Sequence, residues 1–112
     1  MSELHTIRCV GCEGGIPALS RDEINQLLPQ VKGWTISDDH KSMFRHYTFK
    51  NFYETMAFVN AIAWISHQEN HHPDLEVGYN YCHVKYMTHA VKGLTKNDFI
   101  CAAKIDHLDV NS

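Results

Sequence analysis

From Asn51 to Pro73 the chain carries the start, body and end of one long helix, and a domain of 112 residues has to be built around it. Asn51 is placed to cap the start, with Glu54 at the third helical position, and apolar residues then recur at helical spacing to about Glu69. Phe52, Met56, Val59, Ile62 and Ala63 share one face, while Tyr53, Ala57, Ala61 and Trp64 share a neighbouring one. A single sheet cannot cover both, so the pattern predicts a second partner, most simply another copy of the chain. Pro73 ends the helix and turns His72 toward extended backbone, because its ring disfavours the α region for the residue before it.

The segments on either side read as strand pairs. Gly33 to Ser37 and Ser42 to Phe49 are β-like runs around the polar turn Asp38-Asp39-His40-Lys41. Leu75, Val77 and Tyr79 alternate, as do Cys82, Val84 and Tyr86, with a turn expected at Asn80-Tyr81. Two more capping boxes, Ser20-x-x-Glu23 and Thr95-x-x-Asp98, open a short helix ending near Pro29 and a last helix through Phe99, Ile100, Ala103 and Ile105. The expected class is α+β: a two-layer fold, a four-stranded antiparallel sheet with helices packed on one face. Its order is a β-β-α-β-β-α core after an N-terminal helix. Residues 1–19 read as an irregular N-terminal arm and 20–112 as a single domain.

A hydrophobic content of 44% is enough for one core at this length. No apolar run approaches a membrane span, and the first residues lack the layout of a secretory signal, so a soluble, cytoplasmic protein is expected. A formal charge of -3 with scattered Lys and Arg argues against nucleic acid as partner. Four cysteines in such a setting read as thiols rather than bridges. The unusual feature is nine histidines, which suit acid/base chemistry or metal binding.

Two histidine stations stand out, Asn70-His71-His72-Pro73 at a helix end and His89 at a strand end. If they converge, one imidazole can be protonated and another neutral, which supplies an acid and a base for adding or removing water. Solvated surface histidines are the plain alternative. A metal is the rival use, since His67 and His71 are spaced i, i+4 and His89 could be a third ligand. The peptidase signature H-E-x-x-H fails, however, because Gln68 follows His67. Cys9 and Cys12 have zinc-knuckle spacing without a second pair nearby, and read as thiols, a metal-capture pair or a redox pair. Asp98 has a capping role and a possible role at the site.

In their order, His71-His72-Pro73, Tyr79, Val84, Thr88-His89, Gly93-Leu94 and Asp98 resemble the pterin-4a-carbinolamine dehydratases. The likeness runs from Cys9-x-x-Cys12-x-Gly14-Gly15 and Val31-Lys32-Gly33-Trp34 to Asn97-Asp98-Phe99-Ile100-Cys101-Ala102-Ala103-Lys104-Ile105-Asp106. It implies dehydration of 4a-hydroxytetrahydropterin to quinonoid dihydropterin, in tetrahydrobiopterin recycling after aromatic amino-acid hydroxylation. It implies no metal and no organic cofactor, a small-molecule pterin substrate, a homodimer or homotetramer, and a functional link to a hydroxylase.

By the same resemblance His71 and His89 are the acid/base pair and His72 orients the substrate. Pro73 and Thr88 line the pocket with them, and Asp98 supports the site. Some members have an acidic residue one turn before the His pair, where this chain has His67, and an aromatic residue where it has Leu75. The rival functions are a protein-binding module serving as a dimerisation cofactor for a transcription regulator, and a His/Cys metal-binding protein.

Overall fold

A computed structural model of the chain describes residues 4–10 and 16–108. Its elements are α1 (Arg21–Leu27), β1 (Thr35–Ile36), β2 (Met43–Thr48), α2 (Phe52–Glu69), β3 (Asp74–Val77), β4 (Tyr81–Tyr86) and α3 (Lys96–Asp106). The four strands form one antiparallel sheet in the order β1-β2-β4-β3, so the two hairpins meet through β2 and β4. Period-two alternation decides its faces. Met43, Tyr47, Cys82, Val84 and Tyr86 are buried beneath the helices, while His46, Thr48, Tyr81 and Lys85 lie on the open side. The α+β, two-layer expectation is met. The second hairpin turns at Gly78 to Asn80, slightly earlier than expected, with the Gly78 amide bonded to the Tyr81 carbonyl. A side chain on Gly78 would run into the Tyr81 ring.

Local capping explains where the helices begin. The Ser20 hydroxyl and Glu23 carboxylate each satisfy a backbone N–H at the start of α1. Asn51 Oδ1 accepts the Glu54 amide at the start of α2. The Glu54 carboxylate departs from a capping box and takes the Lys50 amide instead, at 3.1 Å. Helix α2 ends at Glu69, where the apolar spacing places its end, but Pro73 is not what stops it. Asn70, in the left-handed conformation at φ 52°, stops the helix three residues before Pro73, and the Asn70 and His71 amides both return to the Ser66 carbonyl. Asn tolerates this conformation better than other side chains with a Cβ, which suits it to the end of a helix.

The buried face of α2 is rotated from the one expected. Thr55, Phe58, Ile62, Ile65 and Glu69 face inward, at alternating three- and four-residue spacing, whereas Ala63 is exposed and Met56 and Val59 are only half-buried. Thr55 belongs inside because its hydroxyl bonds the Asn51 and Tyr79 carbonyls, each at 3.0 Å, joining the helix start to the hairpin tip. The rotation leaves Phe52, Tyr53 and Trp64 outside, with Tyr53 81% and Trp64 60% exposed.

Helix α3 is buried on nearly every side, from Asn97 through Ala103 and again at Ile105. The reason lies in the N-terminal arm. Within it, Leu4–Thr6 forms a 3-10 turn against α3, Leu4 is 3% exposed, and Lys104 Nζ donates to the His5 carbonyl at 2.9 Å. Glu69 fastens the same stretch, accepting the Cys9 amide at 2.7 Å and pairing with Arg8 at 3.0 Å. Residues 4–10 are therefore docked on the domain through a single 3-10 turn and these contacts. Cys12, Gly14 and Gly15 lie outside the described residues.

Candidate active site

The left-handed turn at Asn70 bends the chain back over the start of α3, and His71 follows it directly. Its Nε2 lies 2.6 Å from Asp98 Oδ1, and its ring stacks on Tyr86 at 5.6 Å between centroids and 13° between planes. A bond on one edge and a ring on one face leave the imidazole a single orientation. With Nε2 committed to Asp98, Nδ1 is the nitrogen available for proton exchange.

Asp98 is fully buried. Its second oxygen, Oδ2, accepts the Thr88 hydroxyl at 2.8 Å and the Thr95 amide at 3.0 Å. The Thr88 proton is thereby used, so the Thr95 hydroxyl, 2.9 Å away, donates to Thr88 Oγ1. The result is a chain of four side chains, Thr95 to Thr88 to Asp98 to His71, with its charged member shut away from water. A buried carboxylate is tolerable because every lone-pair direction that matters meets a donor.

His89 arrives by a different local device. After β4, Thr88 and Gly93 pair across an isolated antiparallel bridge, closing a four-residue loop in which His89–Val91 makes one 3-10 turn. Lys92, at φ 52°, completes the turn. The loop therefore stands out from the sheet end with His89 exposed on it. His72, also exposed, has its Nδ1 3.2 Å from the Pro73 carbonyl oxygen.

These residues share one cleft of about 170 Å³, lined by Asn70, His71, His72, Met87, Thr88, His89 and Ala90. The two stations converge because β3 and β4 are antiparallel partners, so the chain entering β3 and the chain leaving β4 lie at the same end of the sheet. Pro73 is buried and outside the lining, and Asp98 stands behind His71. Met87 and Ala90 line the cleft without any signal in the sequence beyond their neighbours, and Asn70 does so as the first residue of its station. Tyr86 was visible only as a strand residue and Thr95 only as a cap.

The other candidates lie elsewhere. His67 is exposed on α2 with its ring 5.5 Å from that of Trp64. Glu69 serves the arm. Burial alone would raise its carboxyl, but the Cys9 amide, Lys104 and Arg8 outweigh this and hold it below the usual carboxylate range. Among the described residues no three His, Cys, Asp or Glu side chains stand close enough together to hold a metal ion. Nor is any described helix long and apolar enough to cross a membrane.

The sequence model of the family described as Pterin 4 alpha carbinolamine dehydratase matches residues 17–108. A Legionella pneumophila protein provisionally named pterin-4-alpha-carbinolamine dehydratase is 61% identical over 111 residues, covering 98% of both chains. A Nitrosospira multiformis protein with the same provisional name is 56% identical over 108 residues, covering 96% of this chain and 94% of its own. Among solved structures, a transcriptional coactivator/pterin dehydratase from Brucella melitensis superposes with a TM-score of 0.76 at 29% identity, covering 80% of this chain and 95% of its own. A pterin dehydratase-like protein described as a RuBisCO assembly factor shares the fold, with a TM-score of 0.58 at 20% identity over 69% of this chain and 89% of its own. With the match spanning the whole helix-and-sheet domain and the site within it, the chain belongs to the pterin-4a-carbinolamine dehydratase family.

Proposed function

We propose that this chain removes water from 4a-hydroxytetrahydropterin, releasing quinonoid dihydropterin. The observation that carries the reading is the meeting of His71, His72 and His89 at one cleft, with the Asp98 carboxylate bonded to the far side of His71. In the reaction the C4a–O bond breaks, the departing hydroxyl gains a proton, and the proton on N5 leaves so that a C4a=N5 double bond forms. His71 suits the base, because Asp98 fixes its tautomer and balances the charge that appears on the ring when Nδ1 takes a proton. His89, exposed on its loop, suits the acid that protonates the leaving hydroxyl. Exchange with water then returns both rings to their starting states. His72 is placed to orient the pterin, and Thr88 acts through Asp98.

The scheme calls for no metal and no organic cofactor. It assigns the protein to recycling of the tetrahydropterin used by an aromatic amino-acid hydroxylase, in the cytoplasm. The uncovered Phe52, Tyr53 and Trp64 support a homodimer or homotetramer assembled through α2. Stopped-flow absorbance of chemically generated 4a-carbinolamine tests the activity directly. Faster loss of the substrate with protein than without supports it, and equal rates sink it.

A further inference from the structure

Two of the cysteine sulfurs that the dehydration scheme leaves unused are adjacent. Cys9 Sγ and Cys101 Sγ lie 3.6 Å apart although 92 residues separate them in the chain. Their meeting is arranged by specific contacts. Glu69 Oε1 holds the Cys9 amide at 2.7 Å. The Asn97 side chain brackets Val10 from both sides, its Oδ1 accepting the Val10 amide at 3.1 Å and its Nδ2 donating to the Val10 carbonyl at 2.7 Å. Asn97 and Cys101 belong to α3, so the helix that supplies one thiol also anchors the strand of chain that carries the other. Cys9 is half-buried, whereas Cys101 is fully buried.

We propose that Cys9 and Cys101 are a reversible dithiol–disulfide pair, closed by a hydroperoxide and reopened by a thiol, that staples residues 4–10 to α3. Cys9 thiolate attacks one peroxide oxygen and breaks the O–O bond, giving Cys9 sulfenic acid and, once the departing hydroxide is protonated, water. The Cys101 sulfur then attacks the Cys9 sulfur. The S–O bond breaks as the S–S bond forms, and the Cys101 proton leaves with hydroxide as a second water. Two electrons pass from the two thiols to one hydroperoxide. The hydrogen bond with Cys9, together with burial, pushes the Cys101 thiol far up, which gives Cys9 the first step and Cys101 the resolving one. Closing to a bond requires the sulfurs to approach by roughly 1.5 Å, a movement that the irregular backbone near Cys9 can supply.

The site of closure is next to the acid/base machinery without being part of it. Cys101 is one helical turn beyond Asp98, and it neighbours the Tyr86 hydroxyl, which burial first and that thiol second hold well above the usual range. The Tyr86 ring is the one stacked on His71. The staple would therefore fix the backing of the cleft.

The test uses the intact chain, treated with hydrogen peroxide, alkylated and digested for mass spectrometry. The expected product is a Cys9–Cys101 linked peptide lighter by two hydrogens and released by dithiothreitol. A loop enclosing most of the chain should also raise Tm by roughly 5–15 °C. Both effects should vanish in Cys9→Ser and persist in Cys12→Ser. In Cys101→Ala, which removes the resolving sulfur, peroxide should leave a Cys9 sulfenic acid that dimedone captures. A Cys9–Cys12 link, a bridge between chains, bound zinc displacing the reaction, or oxidation of Cys9 to sulfinic acid with Cys101 still a thiol would each overturn the proposal. None of these measurements depends on dehydratase activity.

Discussion

His71 Nε2 and Asp98 Oδ1 stand 2.6 Å apart, joining the end of α2 to the first turn of α3. The carboxylate is buried and its other oxygen is already engaged by Thr88 and Thr95, so it has no freedom to release the ring. The histidine is thus oriented by a group that the solvent does not reach.

Replacing Asp98 by Asn keeps the shape and removes the charge. The dehydration rate in stopped flow should fall by about 10²-fold, because the ring loses both its tautomer control and its counter-charge. Thr88→Val, which strips one donor from the same carboxylate, should cost about 10-fold. An unchanged rate in Asp98→Asn would remove the carboxylate from the mechanism.

The three histidines should separate by kinetic signature. His71→Ala and His89→Ala should each lower kcat by about 10²-fold or more, as expected when a proton carrier is lost. His72→Ala should raise KM more than it lowers kcat, the mark of a group that positions substrate in ground and transition states alike. Steady-state curves with generated carbinolamine distinguish the two patterns.

Glu69 makes a prediction about acid stability. Against the effect of burial, its carboxyl is held below the usual carboxylate range in the folded chain by the Cys9 amide, Lys104 and Arg8. A lowered folded value stabilises the protein above the unfolded pKa, and that contribution is lost as pH falls through the folded one. Glu69→Gln should therefore lower Tm by roughly 3–6 °C at pH 7, with a gap that stays level to about pH 5 and narrows below it. Thermal melts across pH 3–8 check the shape.

The outer face of α2 carries Phe52, Tyr53 and Trp64 in the open. Light scattering after size exclusion should find a dimer or tetramer, and Trp64→Asp should shift it to a smaller species with the fold intact by circular dichroism. A wild-type monomer at high concentration would overturn assembly through this face.

The parts of the structure that the sequence disclosed are those set by neighbours along the chain. Ser20 with Glu23 and Asn51 with Glu54 mark helix starts because capping needs only a few residues. Alternation at Cys82, Val84 and Tyr86 marks the buried side of β4 for the same reason. The inward face of α2 was harder to read. Apolar residues surround that helix, and the Thr55 bond to the Tyr79 carbonyl, a contact 24 residues long, helps set its rotation.

The site divides along the same line. His71, His72 and His89 were visible as unusual residues at element ends, and antiparallel pairing of β3 with β4 brings those ends together. What could not be read was the direction of support. Asp98 looked both like a cap and like a site residue, and its Oδ2 accepts the Thr95 amide while its Oδ1 meets His71 Nε2. Spacing sets Cys9 beside Cys12, as plain thiols, a metal-capture pair or a redox pair; among the described residues the sulfur nearest it is that of Cys101, which no spacing rule connects to it.

The β3–β4 hairpin also makes the chain's tolerance to changes of length directional. The first rung, Asp74 with Lys85, lies beside the histidines, and the turn at Gly78 to Asn80 lies at the opposite end. A residue inserted at that tip leaves every rung below it in place and the separation of the stations untouched. The same insertion within β3 or β4 shifts one strand by about 3.4 Å and turns the following side chains to the other face. Changes at the tip are limited by the room at Gly78 and by the Thr55 bond to the Tyr79 carbonyl, whereas the ladder is the gauge that sets the distance between the histidines.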